Sequence, residues 1–464
     1  MDTEEISKKN GSGNNSFARR AIRRARRLLR KRIKRANKYK RRVQKGIRRR
    51  VERISKRSMA FRKIANFSKR NFSKLRYILR FFLPYKIEDK TIIFESFWGR
   101  GYSCSPKALY EEMVKNPEYK DFTFVWAFRK VKEGSGEIMK ASPNEQTLFV
   151  KYKSPSYYKY YSKAKYSIRN ARLPEDIIKK KKQVHIQTWH GTPLKRLGHD
   201  LDVKGTSTVH TVKELQDKYD RDTRRYDFML SPSRFSTEKF MSSFDLKVLG
   251  KENIIVEEGY PRNDFLHNAD ESDIARLKDE MGIPKDKKII LYAPTWRDAS
   301  HVAGKGYTYD LNIDFDDMYS KLKDEYVILF RTHYLISNSF KFEDYEGFIF
   351  NFSKYDDINH LYVVSDLLIT DYSSVFFDYA NLKRPILFYM YDLENYQNEA
   401  RGFYIDLSEL PGPIAYTEEE LLNDILNIDA IQTEYAQRYQ SFCNTYNYLD
   451  DGQASKRVLE RIGI

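Results

Sequence analysis

The sequence predicts an α/β protein of two doubly wound domains that follow a basic helical N-terminal arm. Three observations support this fold class. The chain has 464 residues, which is too long for one ordinary core and suggests two or three units. From Lys90 onward, short runs of Ile, Val, Phe and Tyr alternate with charged stretches of helical period. The positive charge, by contrast, is concentrated at the N-terminal end.

The basic arm accounts for the net charge. Residues 1–80 hold 31 Lys+Arg and 4 Asp+Glu, whereas the whole chain has a net charge of +20. Small or branched apolar residues recur every three or four positions within residues 17–56, from Ile22 and Ala25 to Val51 and Ile54, and Arg and Lys fill most other positions. This pattern predicts an amphipathic helix that an anionic surface would stabilise.

Three readings are compatible with such an arm. Its apolar stripe, together with the segment LRYILRFFLPY at residues 75–85, favours an anionic lipid surface. Nucleic acid would satisfy the same charges through phosphate contacts, but no RNA-binding aromatic motif or zinc-finger spacing occurs. A solvated arm without a partner is the third reading. We predict that residues 17–85 bind an anionic membrane surface and that the chain binds no nucleic acid.

Cysteine content and hydropathy indicate the compartment. The two cysteines, Cys104 and Cys443, provide neither a disulfide framework nor a cysteine-based zinc site. No apolar run approaches the roughly 18 residues that cross a bilayer, and the first residues lack the apolar centre of a signal peptide. We therefore expect a peripheral protein at the cytoplasmic face of the cell membrane.

Two series of near-continuous apolar strands, separated by stretches long enough for crossover helices, predict two parallel sheets. We expect the arm at residues 1–87, an N-terminal domain at 88–245 and a C-terminal domain with terminal helices at 246–464. The first series comprises residues 91–96, 122–128, 147–150, 166–170, 184–189 and 228–233. The second comprises residues 253–259, 288–296, 326–333, 347–352, 367–374 and 385–391.

Polar clusters follow five of these strands, where doubly wound sheets bind their ligands. We expect the clusters to converge on a cleft between the two domains. Their sequences are WHGT (189–192), EEGYPRND (257–264), APTWRD (293–298), RTHY (331–334) and TDYSS (370–374).

Four side chains in these clusters are suited to phosphate chemistry. Ser373 and Ser374 fall where a helix begins, and unpaired N–H groups there bind anions. Arg297 offers a forked donor to a pyrophosphate oxygen, and His333 could donate to a bridging or leaving oxygen. His190 precedes Gly191 and Thr192, where backbone can approach a substrate, and it could act as a general base, with Lys195 and Arg196 about one turn further on.

Each assignment has a structural alternative. The serines could be ordinary helix caps, Arg297 could pair with Asp298, and His333 could be a structural histidine. The sequence has no phosphate loop, HExxH, GxSxG or dinucleotide fingerprint. The acidic runs at 200–202 and 314–317 lie in stretches of the sequence that are rich in charged residues. We therefore predict no metal site, and we predict no cofactor.

Taken together, seven stretches resemble the CDP-glycerol glycerophosphotransferase family, the primases and polymerases of teichoic acid. The resemblance covers about residues 88–460 and leaves the arm outside. The matching stretches are FESFWGRGYSCSPKALYEEM (94–113), QTWHGTPLKRLG (187–198), EGYPRNDFL (258–266), LYAPTWRD (291–298), RTHY (331–334), ITDYSSVFFDYANLKRPILFY (369–389) and DDGQASKRV (450–458).

The resemblance implies a GT-B-like pair of Rossmann-like domains, with the acceptor side in the first and the CDP-linked donor held mainly by the second. It implies that His190 and His333 are catalytic. Residues expected to bind the donor are Thr295, Arg297, Asp371, Ser373, Ser374 and Arg262, and those expected on the acceptor side are Gly191, Thr192 and Lys195.

The activity that the resemblance implies is transfer of glycerol phosphate or ribitol phosphate from a CDP-alditol to a hydroxyl of a membrane-linked, teichoic-acid-type acceptor, with release of CMP. A GT-B glycosyltransferase or a capsule polymerase with another nucleotide-activated donor would share the architecture. A polyanion-binding protein that uses the α/β region as a scaffold is the non-enzymatic alternative.

Overall fold

The computed structural model describes residues 71–82, 84–141, 144–201, 212–295, 301–302, 306–307, 313–332, 340–394 and 402–464. The compact unit Tyr77–Ile464 contains both large sheets. The other unit, Met1–Arg76, is described only at residues 71–76, which are helical. The predicted amphipathic helix at residues 17–56 therefore lies outside the described residues.

The first domain is built on a seven-stranded parallel sheet with the order β3-β2-β1-β4-β5-β6-β7. Its central strands are buried on both faces, as parallel strands between helix layers require. The strands are β1 (Glu88–Glu95), β2 (Thr123–Phe128), β3 (Thr147–Lys151), β4 (Ala164–Arg169), β5 (Val184–Gln187), β6 (Phe228–Ser231) and β7 (Ile255–Glu257).

The strand order reverses between β1 and β4, and this reversal opens a crevice at their carboxyl ends. The two strands are in register at their last residues, where Glu95 lies opposite Arg169. These two side chains form an ion pair that is completely buried. The pair therefore ties together the two strand ends from which the loops of the crevice begin.

The second domain has a six-stranded parallel sheet with the order β12-β11-β8-β13-β14-β15. Its order reverses between β8 and β13, so the first and second sheets share one topological plan. The strands are β8 (Lys288–Tyr292), β11 (Tyr326–Phe330), β12 (Ile349–Asn351), β13 (Leu367–Thr370), β14 (Ile386–Tyr389) and β15 (Ile414–Ala415); a separate hairpin joins β9 (His301–Val302) and β10 (Gly306–Tyr307).

The predicted two-sheet architecture is confirmed, but one strand was assigned to the wrong sheet. The apolar run at 253–259 contains β7, which pairs with β6 at the edge of the first sheet. A boundary at 245/246 would separate β7 from that sheet. Apolar runs in a linear sequence do not reveal which sheet they join, and the connection between the domains follows β7. The short β15 and the hairpin were not predicted.

Helices cover the sheets, and several of them begin with a side-chain cap. Asp270 accepts a hydrogen bond from the Asp273 N–H at the start of α7, and Gly282 ends that helix with a left-handed φ of 67°. The helices are α1 (Cys104–Lys115), α2 (Val131–Ala141), α3 (Pro155–Lys163), α4 (Val212–Thr223), α5 (Arg234–Ser243), α6 (Asp264–Asn268), α7 (Glu271–Met281), α8 (Phe315–Leu322), α9 (Ile358–Val364), α10 (Val375–Tyr379), α11 (Glu418–Leu426), α12 (Ile428–Tyr446) and α13 (Ala454–Ile462).

The last helix returns to the first domain. Val458, Leu459 and Ile462 of α13 pack with Ile92 and Phe94 of β1 in one apolar core. Apolar residues of both sheets are almost fully buried, so each domain has its own core. Among the described residues, no helix is both long and apolar enough to span a bilayer.

Candidate active site

A left-handed turn follows β1 at the crevice of the first sheet. Phe97, Trp98 and Gly99 have φ angles of 45°, 58° and 73°. The Ser96 carbonyl accepts hydrogen bonds from the N–H groups of Gly99 and Arg100 at 2.8 and 3.2 Å. Such backbone costs non-glycine residues about 1 kcal/mol or more each and clusters at functional sites.

The loop after β4 supports this turn. The Phe97 N–H donates to Asn170 Oδ1 at 2.8 Å, so Asn170 joins the ends of β1 and β4. Asn170 is completely buried. Its carbonyl oxygen points to the neighbouring loop after β5, where the predicted general base lies.

His190 is held in one tautomer. Its Nδ1 lies 2.7 Å from the Asn170 carbonyl oxygen, which can only accept, so Nδ1 carries the proton and Nε2 keeps a lone pair. The Trp189 ring stacks on the imidazole with centroids 4.7 Å apart, and the Phe97 ring meets it edge-on at 5.8 Å. The ring therefore presents Nε2 as a base in a fixed orientation.

The surroundings also keep His190 neutral. The His190 residue is exposed to solvent by surface area, yet the density of protein around its imidazole desolvates the ring and lowers the pKa of His190 to about 4. The hydrogen bond to Asn170 opposes the shift, and the positive charges of Arg262 and Arg172 add to it. At neutral pH the side chain is consequently a free base.

The crevice of the second sheet holds those of the predicted phosphate residues that the structure describes there, namely Thr295, Asp371, Ser373 and Ser374. Asp371, which is 2% exposed, accepts a hydrogen bond from the Thr295 N–H at 2.7 Å. This bond joins the loops after β8 and β13 at the point where the strand order reverses. Ser373 and Ser374 follow, and Ser374 caps α10 without a side-chain hydrogen bond. Because α10 has only five residues, its dipole is small, and the local N–H groups matter more.

The two crevices face each other. A methyl group built on Gly191 would lie 3.0 Å from Ser374 Oγ and 3.8 Å from Arg262 Nη2. Gly191 follows the predicted general base, His190, and Ser374 belongs to the predicted phosphate site. The structure therefore brings together His190, Gly191, Ser374 and Arg262, as the sequence predicted for a shared cleft.

Arg262 is not a free phosphate ligand, because its guanidinium pairs with a carboxylate. Its Nη2 donates to both carboxylate oxygens of Asp378 at 2.7 Å, and both side chains are more than 90% buried. Its guanidinium also lies 4.8 Å from the Tyr260 ring centroid, and Nη1 is 3.8 Å from Cys104 Sγ. Arg262 thus links α10 of the second domain to the start of α1 and contributes charge to the cleft.

Further polar contacts hold the domains together. Lys107 Nζ of α1 donates to Asp357 Oδ2 of the second domain at 2.7 Å, and the Tyr102 N–H donates to Asp356 at 3.3 Å. Asn263 Nδ2 donates to Asp450 Oδ2 at 2.7 Å. These contacts, most of them buried, link segments that are distant in the sequence.

The predicted acceptor-side residues lie along one strand-like segment. Gly191 and Thr192 are buried, and Lys195 forms an antiparallel bridge with Phe403 of the second domain. The Arg196 N–H donates to the Gly402 carbonyl at 3.0 Å. The segment after His190 is therefore anchored across the domain interface. Arg297 and His333 lie outside the described residues, so their roles stay predictions.

The acidic runs have ordinary structural partners. Asp200 accepts hydrogen bonds from the hydroxyls of Ser242 and Tyr404, and Asp314 caps α8. His199, Asp220 and Asp245 each place one potential metal-ligand atom within 4.8 Å of the others. His199 and Asp220 already form a hydrogen-bonded pair at 2.7 Å, and we assign no metal to this group.

Three residues of the cleft were missed from sequence. Asn170 and Arg172 follow β4. Doubly wound sheets bind ligands at the carboxyl ends of their strands, so the same reasoning applied to β4 would have identified both residues. Asp378 lies four residues after Ser374 on α10, where a helix places two side chains on one face. Its pairing with Arg262 depends on the tertiary structure and has no local signal.

The chain matches a known family over most of its length. The family model described as CDP-glycerol:poly(glycerophosphate) glycerophosphotransferase matches residues 75–463. The chain is 42% identical over 380 residues to a teichoic acid poly(glycerol phosphate) polymerase of Staphylococcus epidermidis, covering 80% of this chain and 50% of the relative. It is 41% identical over 382 residues to the polymerase of that name from Bacillus subtilis, covering 81% and 49%.

A solved structure agrees with these matches. A variant of the wall teichoic acid polymerase TagF, soaked with CDPG, is 39% identical to the chain with a TM-score of 0.76, covering 87% of this chain and 96% of that one. The chain spans about half the length of the two curated relatives. The extent of the family match, the shared fold and the facing crevices lead to one conclusion: the chain belongs to the CDP-glycerol:poly(glycerophosphate) glycerophosphotransferase family.

Proposed function

We propose that this chain transfers glycerol phosphate from CDP-glycerol to the terminal hydroxyl of a polyol phosphate chain and releases CMP. The observation that carries the proposal is the close approach of Gly191 to Ser374. Because Gly191 directly follows His190, this approach supports a cleft in which a neutral histidine of one domain lies near the serine turn of the other. A base and a phosphate-binding turn on opposite walls of one cleft fit a phosphoryl-type transfer.

His190 acts as the general base. Its Nε2 takes the proton of the acceptor hydroxyl while that oxygen attacks the phosphorus atom bonded to glycerol. The new bond joins the acceptor oxygen to this phosphorus. The bond from the same phosphorus to the bridging oxygen breaks, and CMP leaves with the electron pair. General-base catalysis of this kind contributes about 10²- to 10⁴-fold.

The second domain binds the donor pyrophosphate. The N–H groups and hydroxyls at Ser373 and Ser374 bind its oxygens, and Asp371 keeps the Thr295 loop beside them. Arg297 and His333 supply further charge and a proton donor, as the family resemblance implies. Because the transition state of phosphoryl transfer is loose, most of the acceleration comes from these placed charges. Arg262 contributes to the electrostatic field of the cleft while it pairs with Asp378, and not through a free guanidinium that binds the donor.

Glycerol is the favoured alditol because both curated relatives are named for poly(glycerol phosphate). Ribitol presents the same pyrophosphate and differs in the length of the polyol. A glycosyltransferase or capsule polymerase with another nucleotide-activated donor is the second candidate, since the paired-domain architecture is common to both.

The chain works at the cytoplasmic face of the cell membrane, as a peripheral protein held through residues 17–85. The excess of basic residues in the first 80 positions supports this proposal. So do Phe72, Leu75 and Leu79, which are 69%, 53% and 64% exposed. An acceptor anchored in the same surface would then be present at a high effective concentration.

The test is release of CMP by the purified chain. CDP-glycerol, CDP-ribitol and UDP-glucose are each supplied with a soluble glycerol phosphate oligomer, and the nucleotide product and oligomer length are measured. We expect CMP and chain extension with CDP-glycerol, and neither with His190→Ala. UDP formation with transfer of glucose would instead establish the glycosyltransferase reading.

A further inference from the structure

Arg172 is a cation on the first-domain side of the cleft for which the proposed mechanism has no use. It lies two residues after Asn170, in the loop that follows β4. Its guanidinium carbon is 5.4 Å from the centroid of the Tyr219 ring. Nη1 is buried and has no hydrogen-bond partner among the described residues. A buried N–H donor without an acceptor costs free energy that a bound anion would recover.

A second cation lies beside it. Lys218, which precedes Tyr219 on α4, is partly buried and makes no hydrogen bond or ion pair among the described residues. Desolvation lowers the pKa of Lys218, and the charge of Arg172 lowers it further. Two carboxylates lie nearby. Asp222 pairs with Arg225, and Glu175 lies 3.8 Å from Arg221, but the charges of both also act on Lys218, and that of Arg172 acts on Asp222.

Packed rings connect this pair of cations to the general base. The Tyr219 ring lies 4.9 Å from Phe244, Phe244 lies 5.2 Å from Trp189, and Trp189 stacks on His190 at 4.7 Å. Asn170, two residues before Arg172, holds His190 through its carbonyl. The cations therefore belong to the same wall as the base, whereas the donor-phosphate candidates at residues 371–374 belong to the second domain.

We propose that Arg172 and Lys218 form a phosphate subsite for the acceptor, which binds the phosphodiester nearest to the attacking hydroxyl. A guanidinium fork and an ammonium group suit a singly charged phosphodiester. In a glycerol phosphate chain, a three-carbon unit separates this group from the terminal hydroxyl. The subsite would select phosphorylated acceptors over neutral polyols. The identity of the ligand rests on the proposed function, but the anion site itself does not.

Binding without donor tests the subsite directly. The full chain is titrated calorimetrically with a glycerol phosphate tetramer and with neutral tetraglycerol. We expect the wild type to bind the tetramer. Arg172→Met should weaken this binding about tenfold, because the substitution removes one charged hydrogen-bonding group. The affinity of Arg172→Lys for the tetramer should lie between those of the wild type and Arg172→Met. Arg224→Met, which removes an exposed arginine near the end of α4, should bind like wild type.

Kinetics separate the subsite from the proposed function. In Arg172→Met the KM for the tetramer should rise about tenfold, while the KM for CDP-glycerol changes less than twofold and the melting temperature is retained. If the wild type does not consume CDP-glycerol, the proposed function fails, and the titration still decides the subsite. Equal affinity of wild type and Arg172→Met for the tetramer, or no binding to either, would overturn the subsite.

Discussion

At the scale of single residues, the neutral state of His190 determines how activity depends on pH. A general base must be unprotonated, and a pKa of about 4 keeps His190 so at pH values where an ordinary histidine is largely charged. We expect kcat/KM to stay level from pH 8 down to about 5 as far as His190 governs it. An acid limb near pH 6.5 would contradict this assignment.

Substitution of the same residue separates chemistry from binding. His190→Ala should reduce kcat by about 10²- to 10⁴-fold and leave the KM for CDP-glycerol within about twofold, because the proposed donor site lies in the second domain. His267→Ala is the matched control, since His267 is exposed and its ring contacts Asn381. Steady-state CMP release measures both parameters, and unchanged kcat in His190→Ala would remove this residue from the mechanism.

Gly191 tests the contact between the two crevices. Gly191→Ala places a methyl group 3.0 Å from Ser374 Oγ, so either the serine or the loop must shift. We expect kcat/KM to fall about tenfold, or 1.4 kcal/mol. In a Ser374→Ala background the clashing oxygen is gone, and the nearest atoms to the new methyl group are the Cβ of residue 374 and Arg262 Nη2, both at 3.8 Å.

A double-mutant cycle tests whether the loss of activity depends on the contact between Gly191 and Ser374. If the loss in Gly191→Ala comes from Ser374 Oγ, adding Gly191→Ala to Ser374→Ala should cost little more than Ser374→Ala alone. Additive losses would show that Gly191 acts through another neighbour, and no loss in the single variant would show that the crevices separate in solution.

The sequence predicts residue types at this scale better than their partners. His190 and Ser374 are predicted to share a cleft because both follow buried strands, and strand ends of doubly wound sheets converge. Arg262 was found for the same reason, but its pairing with Asp378 depends on burial in the folded chain. An isolated motif cannot show whether an arginine faces a ligand or a carboxylate.

At the scale of elements, α1 and α9 carry a buried charged cluster between the domains. Lys107 Nζ lies 3.3 Å from His360 Nε2, and His360 Nδ1 lies 3.0 Å from the Tyr355 hydroxyl. Lysine only donates, so His360 Nε2 accepts from it and Nδ1 carries the ring proton. Desolvation lowers the pKa of His360 to about 4, with Asp357 opposing the shift and Lys107 adding to it.

This depressed pKa predicts acid sensitivity of the interface. The unfolded chain binds a proton at His360 near pH 6.5, whereas the folded chain does so only near 4, so stability is lost as pH falls between these values. We expect His360 to contribute on the order of 1–2 kcal/mol to the difference between pH 7.5 and pH 5. His360→Gln should make the urea midpoint less dependent on pH, as measured by fluorescence at both values.

The exposed His267 again provides the control for this experiment. His267→Gln should keep the wild-type dependence on pH. If His360→Gln and His267→Gln respond alike, the buried cluster does not determine acid stability. Other buried histidines, such as His185 with its strongly lowered pKa, will leave a residual dependence in every variant.

At the scale of the whole molecule, the arm carries the excess positive charge and the domains do not. With a net charge of +20 and 31 of its 84 basic residues in the first 80 positions, the chain should co-sediment with phosphatidylglycerol vesicles and not with phosphatidylcholine vesicles. Deletion of residues 1–60 should release it from the anionic vesicles while CMP release with a soluble acceptor is retained. Raised salt should weaken attachment of the full chain.

Vesicle composition and the deletion together decide the role of the arm. Continued co-sedimentation of the shortened chain with anionic vesicles would place membrane attachment in another part of the molecule. Loss of activity on the soluble acceptor would show that the arm also contributes to the catalytic unit.

The sequence by itself determined the two parallel sheets and the polar character of their strand ends, because burial on two faces and helical period are local properties of a chain. The tertiary structure alone decided which strand ends meet. Gly191 reaches Ser374, Arg262 pairs with Asp378, and β7 joins the first sheet because packing between distant segments sets these contacts. No local pattern encodes the distance between two domains.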